Sequence, residues 1–121
     1  EAIDAHTTAA AAFLELGDRH GEGQALNNLG LALRGVGRFE EAIDAHTTAA
    51  NIYHELDDWH GGSTALNNLG LALQGARRFE EAIEAHDLAA DIALEVGDRH
   101  REGMARTAWA AAHNERWLRR S

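Results

Sequence analysis

Residues 41–50 read EAIDAHTTAA, residues 1–10 spell the same ten letters, and residues 81–90 read EAIEAHDLAA, so one element returns every 40 residues. The identity extends beyond that element. Residues 1–20 agree with 41–60 at 14 of 20 positions and residues 21–60 with 61–100 at 25 of 40, which is duplication and not chance. Self-similarity at a period of roughly 20 to 50 residues marks a solenoid, in which each unit is stabilised by its neighbours and not by one central core. From residue 101 the match nearly vanishes, keeping only Glu102, Gly103, Ala105 and Ala112 against Glu22, Gly23, Ala25 and Ala32. Residues 101–121 are therefore expected to be a divergent capping helix.

The repeated segments read as helices. Proline is absent and alanine abundant, so helices run uninterrupted and β-branched clusters are scarce. At about 100° per residue, Phe39, Ala42, Ile43, Ala49, Ala50, Tyr53 and Leu56 share one arc, while Glu40, Glu41, Asp44, Thr48, Asn51 and Glu55 face away. This predicts a helix over 38–56, with copies at 1–16 and 78–96. A second helix is predicted over 20–35 and again over 60–75. Asp18, Asp58 and Asp98 stand where an N-cap is wanted; Gly17 and Gly97 stand where the preceding helix needs a left-handed residue, with Asp57 in that place in the middle copy. Gly35 and Gly37 break the chain before Arg38, and in the next copy Gly37 becomes Arg77. No such break follows residue 101, so the last helix is expected to run to Arg119. The whole is an all-α array of six helices: a lone helix at 1–16, units at 21–60 and 61–100, and the cap.

Bulk composition excludes several classes. The net charge is −9, from 20 acidic and 11 basic residues with no lysine, which argues against a nucleic-acid footprint. The balance is uneven, because five Arg and two Glu give residues 101–121 a local excess of positive charge. There is no cysteine, hence no disulfide or thiolate site. No apolar run approaches the ~18 residues that a spanning helix requires. Glu1 is not an initiator Met and falls inside a repeat, so a piece of a longer chain is expected. No nucleophile stands beside a base and no phosphate-binding glycine loop follows a strand, so no catalytic residue is assigned. No cofactor is expected.

Within each unit the order Leu29, Gly30, Ala32, Leu33, Gly37, Phe39, Ala42, His46, Ala49, matched by Leu69, Gly70, Ala72, Leu73, Phe79, Ala82, His86, Ala89, resembles the tetratricopeptide repeat. That family pairs a helix A carrying Leu-Gly with a helix B carrying small residues. The unit departs from it in lacking the proline after helix B, with His54 near its place, and in length, 40 residues against about 34. The phrases Gly-Asp-Arg-His-Gly-Glu-Gly at 17–23 and Ala-Leu-Asn-Asn-Leu-Gly at 25–30 are similar to the long-repeat subfamily of Leu-Gly-Asn-repeat G-protein modulators, kinesin light chains and the C-terminal arrays of bacterial signalling ATPases. The resemblance implies a right-handed superhelix, a cytoplasmic interaction module and a protein or peptide partner. Gly30, Ala42 and Ala49 are expected to let helix axes approach closely.

Helix A lines the concave surface in that family. With Ala25, Leu29, Ala32, Leu33 and Val36 assigned to the buried arc, Gln24, Asn27, Asn28, Leu31 and Arg34 should look into the groove, as should Thr64, Asn67, Asn68, Leu71 and Gln74, followed by Met104, Thr107, Ala108, Ala111 and Asn114. An Asn amide both donates and accepts, so Asn28 and Asn68 one repeat apart could grip the backbone of an extended peptide, with Leu31 and Leu71 supplying apolar contact. No cation stands at Asn27, Asn67 or Ala108, so a carboxylate clamp is not expected. His6, His46 and His86 are read as flat side chains filling packing gaps, the alternative being a pH-responsive ladder. His20, His60 and His100 recur in loops roughly 20 Å apart, given helix spacings of about 8 to 10 Å, too far to share a metal ion. Glu40, Glu41 and Asp44 read as a solvated acidic stripe, and Trp109 and Trp117 as seals on the array's end. The rival reading is self-assembly: the first helix lacks a helix A, so Ile3, Ala9, Ala10 and Phe13 would be open to another copy. A third makes the array the regulatory tail of a larger signalling ATPase or transcription regulator.

Overall fold

The computed structural model describes residues 1–97 and 105–113. Five helices, α1 (Ala2–Leu16), α2 (Arg19–Gly35), α3 (Phe39–Glu55), α4 (Trp59–Gly75) and α5 (Phe79–Glu95), are followed by α6 over 105–113. Among the described residues there is no strand. The expected caps at Asp98, the groove positions Met104 and Asn114, and Trp117 and Arg119 lie outside the described residues.

The turns follow one design. Gly17, Gly37, Asp57, Arg77 and Gly97 all take positive φ, of 72°, 81°, 53°, 66° and 73°. The next residue's N–H then reaches back to the last turn of the preceding helix, as Asp18 to Phe13, Arg38 to Leu33, Asp58 to Tyr53 and Arg78 to Leu73, all within 2.8–2.9 Å. This satisfies carbonyls that a helix end leaves bare. Asp18 and Asp58 then cap the following helix, their Oδ1 atoms accepting from the N–H of Gly21 and Gly61 at 2.9 and 3.0 Å. Arg77 carries a Cβ into the left-handed region, where glycine would be relaxed.

From α1 to α5 each helix packs on the next in sequence, and α2 also touches α4, whereas α1, α3 and α5 make no close backbone approach to one another. The array therefore curves, with α2 and α4 on its inside. The core is a thin seam dominated by alanine: Ala42, Ala72, Ala82 and Ala112 are fully buried, joined by Leu33, Leu73 and Ile43. Small side chains keep axes close, as expected, but the glycines serve a different end. A Cβ on Gly30 would stand 2.5 Å from the His46 ring, and one on Gly61 would stand 2.5 Å from the Tyr53 ring. The same holds for Gly21 under Phe13, Gly70 under His86 and Gly75 under Phe39. These five glycines of α2 and α4 each seat a ring from a neighbouring helix, and the loss of helix propensity, about 1 kcal/mol apiece, is offset by ring burial.

Two expectations need correction. Val36 is the C-cap of α2 and is 61% exposed, because the chain has already turned away from the seam there. On α1, Ala10 is buried, and Ile3, Ala9 and Phe13 are half-buried because α2 covers their side. The residues of α1 that are open while their counterparts are buried are instead Ala2, Ala5 and Ala12, matching Ala42, Ala45 and Ile52. Trp109 is half-buried and stacks on His113 at 5.0 Å.

Candidate functional site

The inner face is built by α2 and α4, which run side by side. Gln24, Asn28 and Leu31 are exposed on α2, and Thr64, Asn68 and Leu71 are half-buried at the matching places on α4. Near the starts of the two helices lies a cavity of about 270 Å3 lined by His20, Gln24, Asn27, Tyr53, Asp58, His60, Gly61 and Thr64. His20 Nε2 lies 2.9 Å from Asp58 Oδ2, and the His20 ring meets Tyr53 edge-on at 5.8 Å. Burial opposes ionisation of Asp58, but the Gly61 N–H and the neighbouring His20 and His60 outweigh it and hold the carboxyl below its ordinary value. His20 and His60 thus share one cavity instead of standing in separate loops, since the inside of a curve draws successive helix starts together. Their place was legible: His20 and His60 stand one turn before Gln24 and Thr64 on the same arc. Among the described residues no three His, Asp or Glu side chains gather to hold a metal ion.

Four of the expected groove residues, Asn27, Asn67, Asn68 and Gln74, have a second engagement. His46 and His86 are fully buried, and their Nδ1 atoms lie 2.7 Å from Asn27 Oδ1 and 2.9 Å from Asn67 Oδ1. Gln74 Oε1 lies 2.8 Å from His86 Nε2. Asn27, Asn67 and Gln74 are therefore committed to the rings of helix B, at the edge of the groove. Asn68 Nδ2 donates to Asn27 Oδ1 at 3.3 Å, joining α4 to α2 through the same amide. Burial pushes both imidazoles down to about 4 and keeps them neutral at physiological pH. A neutral ring carries one proton, so one of the two amides facing His86 turns its NH2 toward the ring. At His46 the place of Gln74 is taken by Arg34, whose positive charge further disfavours protonation, and the buried Nε2 atom has no hydrogen-bond partner. The wheel missed these contacts because it assigned helix A one buried arc, whereas α2 has neighbours on three sides.

On the outer face the acidic stripe is partly paired. Arg78 Nη1 lies 2.8 Å from Glu40 of the preceding unit and Nη2 lies 2.7 Å from Glu81. Arg38 makes the equivalent fork to Glu41, which holds that carboxyl below its ordinary value. Such exposed pairs contribute little stability. Of these, the Arg78–Glu40 pair spans two units, whereas Arg38–Glu41 and Arg78–Glu81 lie within the first turn of one helix.

Two family models match the chain, both described as tetratricopeptide repeat, one over residues 1–55 and the other over 63–102. No curated protein matches it. With the helix pairs, the left-handed turns and the repeated seam of small residues, these matches assign the family: the chain belongs to the tetratricopeptide repeat proteins.

Proposed function

We propose that the chain is a protein-interaction module whose inner groove holds an extended segment of a partner. Tetratricopeptide repeats mediate contact between proteins, and no described helix here is long and apolar enough to cross a membrane. The observation that carries the reading is the row of amides and leucines on the inside of the curve: Asn28 and Leu31 on α2 in register with Asn68 and Leu71 on α4, beside the cavity at Gln24 and Thr64. Amides at this spacing hydrogen-bond a peptide backbone irrespective of its side chains, and the leucines add apolar contact. Asn27, Asn67 and Gln74 stand at the edge of the row on the helix B rings, and Asn27 also holds Asn68 in place. Affinity from so few units is weak, because ordering an extended peptide consumes much of the interaction energy. A displayed peptide library panned on the folded chain tests this. The double substitution Asn28→Ala with Asn68→Ala should abolish capture with helicity unchanged, and capture that survives it refutes the groove.

A second reading rests on α1, where Ala2, Ala5 and Ala12 are open while the matching residues of α3 are covered. That face is shaped for a glycine-bearing helix A, which a second copy could provide. A concentration-dependent mass in light scattering would support it, and a fixed monomer mass would end it.

A further inference from the structure

The duplicated chain carries its own control on the outer side, where α3 and α5 diverge over the start of α4. Between them lies a second cavity, of about 360 Å3, walled by Ala50, His54, Trp59, Leu66, Leu88 and Ile92, with the buried Gly62 also lining it. At the preceding junction the places of Trp59 and Gly62 are held by Arg19 and Glu22. There Glu22 is buried, Arg19 Nη1 lies 2.7 Å from it, and Nη2 reaches Glu55 at 2.6 Å. Gly62 provides no such plug: a Cβ added there meets only Tyr53 Cβ, at 3.8 Å. Thr48 is replaced by Leu88, which is 50% exposed, and Trp59 is 40% exposed. An ion-paired junction has become an apolar pocket with an aromatic wall.

Among the described residues its electrostatic setting is one-sided. No Lys or Arg occurs in α3, α4 or α5, and the exposed Asp87, Asp91 and Glu95 flank Leu88 and Ile92 in sequence. We infer that this outer cavity docks a basic segment of a partner protein, one large apolar side chain entering over Gly62 while adjacent Lys or Arg meet Asp87, Asp91 and the face of Trp59. The pocket volume suits a single aromatic side chain, and the wall and rim match a cation next to an aromatic residue. This surface lies on the opposite side of the array from the amide row and does not depend on it.

The probe is the peptide Lys-Arg-Trp-Lys-Arg, titrated into the full chain and followed by amide and indole NMR. Saturable shifts confined to Trp59, Gly62, Leu88 and Ile92 are expected, weakened roughly tenfold when the peptide's Trp is replaced by Ala and abolished with Glu-Glu-Trp-Glu-Glu. The double substitution Trp59→Arg with Gly62→Glu installs the plug that α2 already carries, so folding is retained, and binding should be lost. Leu88→Thr should weaken it, while Asn28→Ala with Asn68→Ala should leave it unchanged. Equal binding by the plugged chain, by the Ala peptide or by the acidic peptide overturns the proposal, as do shifts centred on Asn28 and Asn68.

Discussion

Lowering the pH from about 7.5 to about 5 brings His46 and His86 to the point where an unfolded chain takes up protons and the folded one refuses them. Both rings are fully buried, and their folded values lie near 4, against 6.5 for an ordinary imidazole. With the folded value depressed, the unfolded state binds more protons between these limits. Stability is thus complete above about 6.5 and falls as the pH drops toward 4. A shift of this size amounts to about 3 kcal/mol per ring in full and about 2 kcal/mol per ring by pH 5, hence about 4 kcal/mol for the pair if they titrate independently. That is a large share of the ~5 to 15 kcal/mol available to a small domain. The depressed carboxyls of Glu41, Glu81 and Asp58 act at lower pH, since their stabilisation is lost only as pH falls through values below the ordinary carboxylate range. Urea unfolding followed by circular dichroism at a series of pH values reads the slope. The double substitution His46→Gln with His86→Gln puts a neutral hydrogen-bonding amide in each place and removes the titration. It should be less stable at neutral pH yet nearly flat over the same range. A wild-type chain whose stability does not change, or a variant that loses as much as wild type, refutes the reasoning.

Three further outcomes follow from the seam and the turns. Gly30→Ala gains about 1 kcal/mol of helix propensity but drives a methyl into the His46 ring, so a net loss of about 1 to 2 kcal/mol is expected in urea; combined with His46→Ala the sign should reverse, and a stable Gly30→Ala alone counts against ring seating. Arg34→Gln copies the Gln74 arrangement and gives His46 Nε2 a partner, so thermal unfolding should report a gain of about 1 kcal/mol, with the His46 pKa rising. Arg77→Gly removes a Cβ from a residue at φ 66° and should stabilise by about 0.5 to 1 kcal/mol in the same assay, whereas no change would mean that the left-handed turn is unstrained.

Helix count, turns and caps were legible because they are written locally. Asp18 three residues before Gly21, repeated as Asp58 before Gly61, and Gly17 before Asp18, repeated as Gly97 before Asp98, need no knowledge of tertiary contacts. The direction of the polar residues on α2 was legible only in part. Asn28 and Leu31 were placed by exclusion from the apolar arc and are exposed, but Asn27 lies beside them on the wheel and bonds a ring 19 residues away. Hydrophobic periodicity cannot separate a polar residue that faces water from one that faces a buried histidine, because both interrupt the apolar arc alike. The role of Gly30 was hidden for the same reason: a glycine reads as close helix approach until the ring above it is seen.

Duplication turns each difference between the two units into an experiment already performed. Where the copies agree, at Asn27 and Asn67, Gly30 and Gly70, His46 and His86, the same amide-to-ring bond and the same ring-on-glycine seat recur, so the scaffold depends on these and not on the residues around them. Where they differ, the fold persists, whether the exchange is buried, as Gly23 to Ser63 and Tyr53 to Ala93, or alters a surface. Arg19 and Glu22 become Trp59 and Gly62, and a plugged outer junction becomes a pocket; Arg34 becomes Gln74, and an unpartnered ring nitrogen gains a hydrogen-bond partner. Stability is thus held by a few ring and glycine pairs inside the seam, which leaves the inner row and the outer junctions to diverge independently. An array of this kind can acquire a second recognition surface without disturbing the first, because the helix that separates them, α4, presents Asn68 to one side and Gly62 to the other.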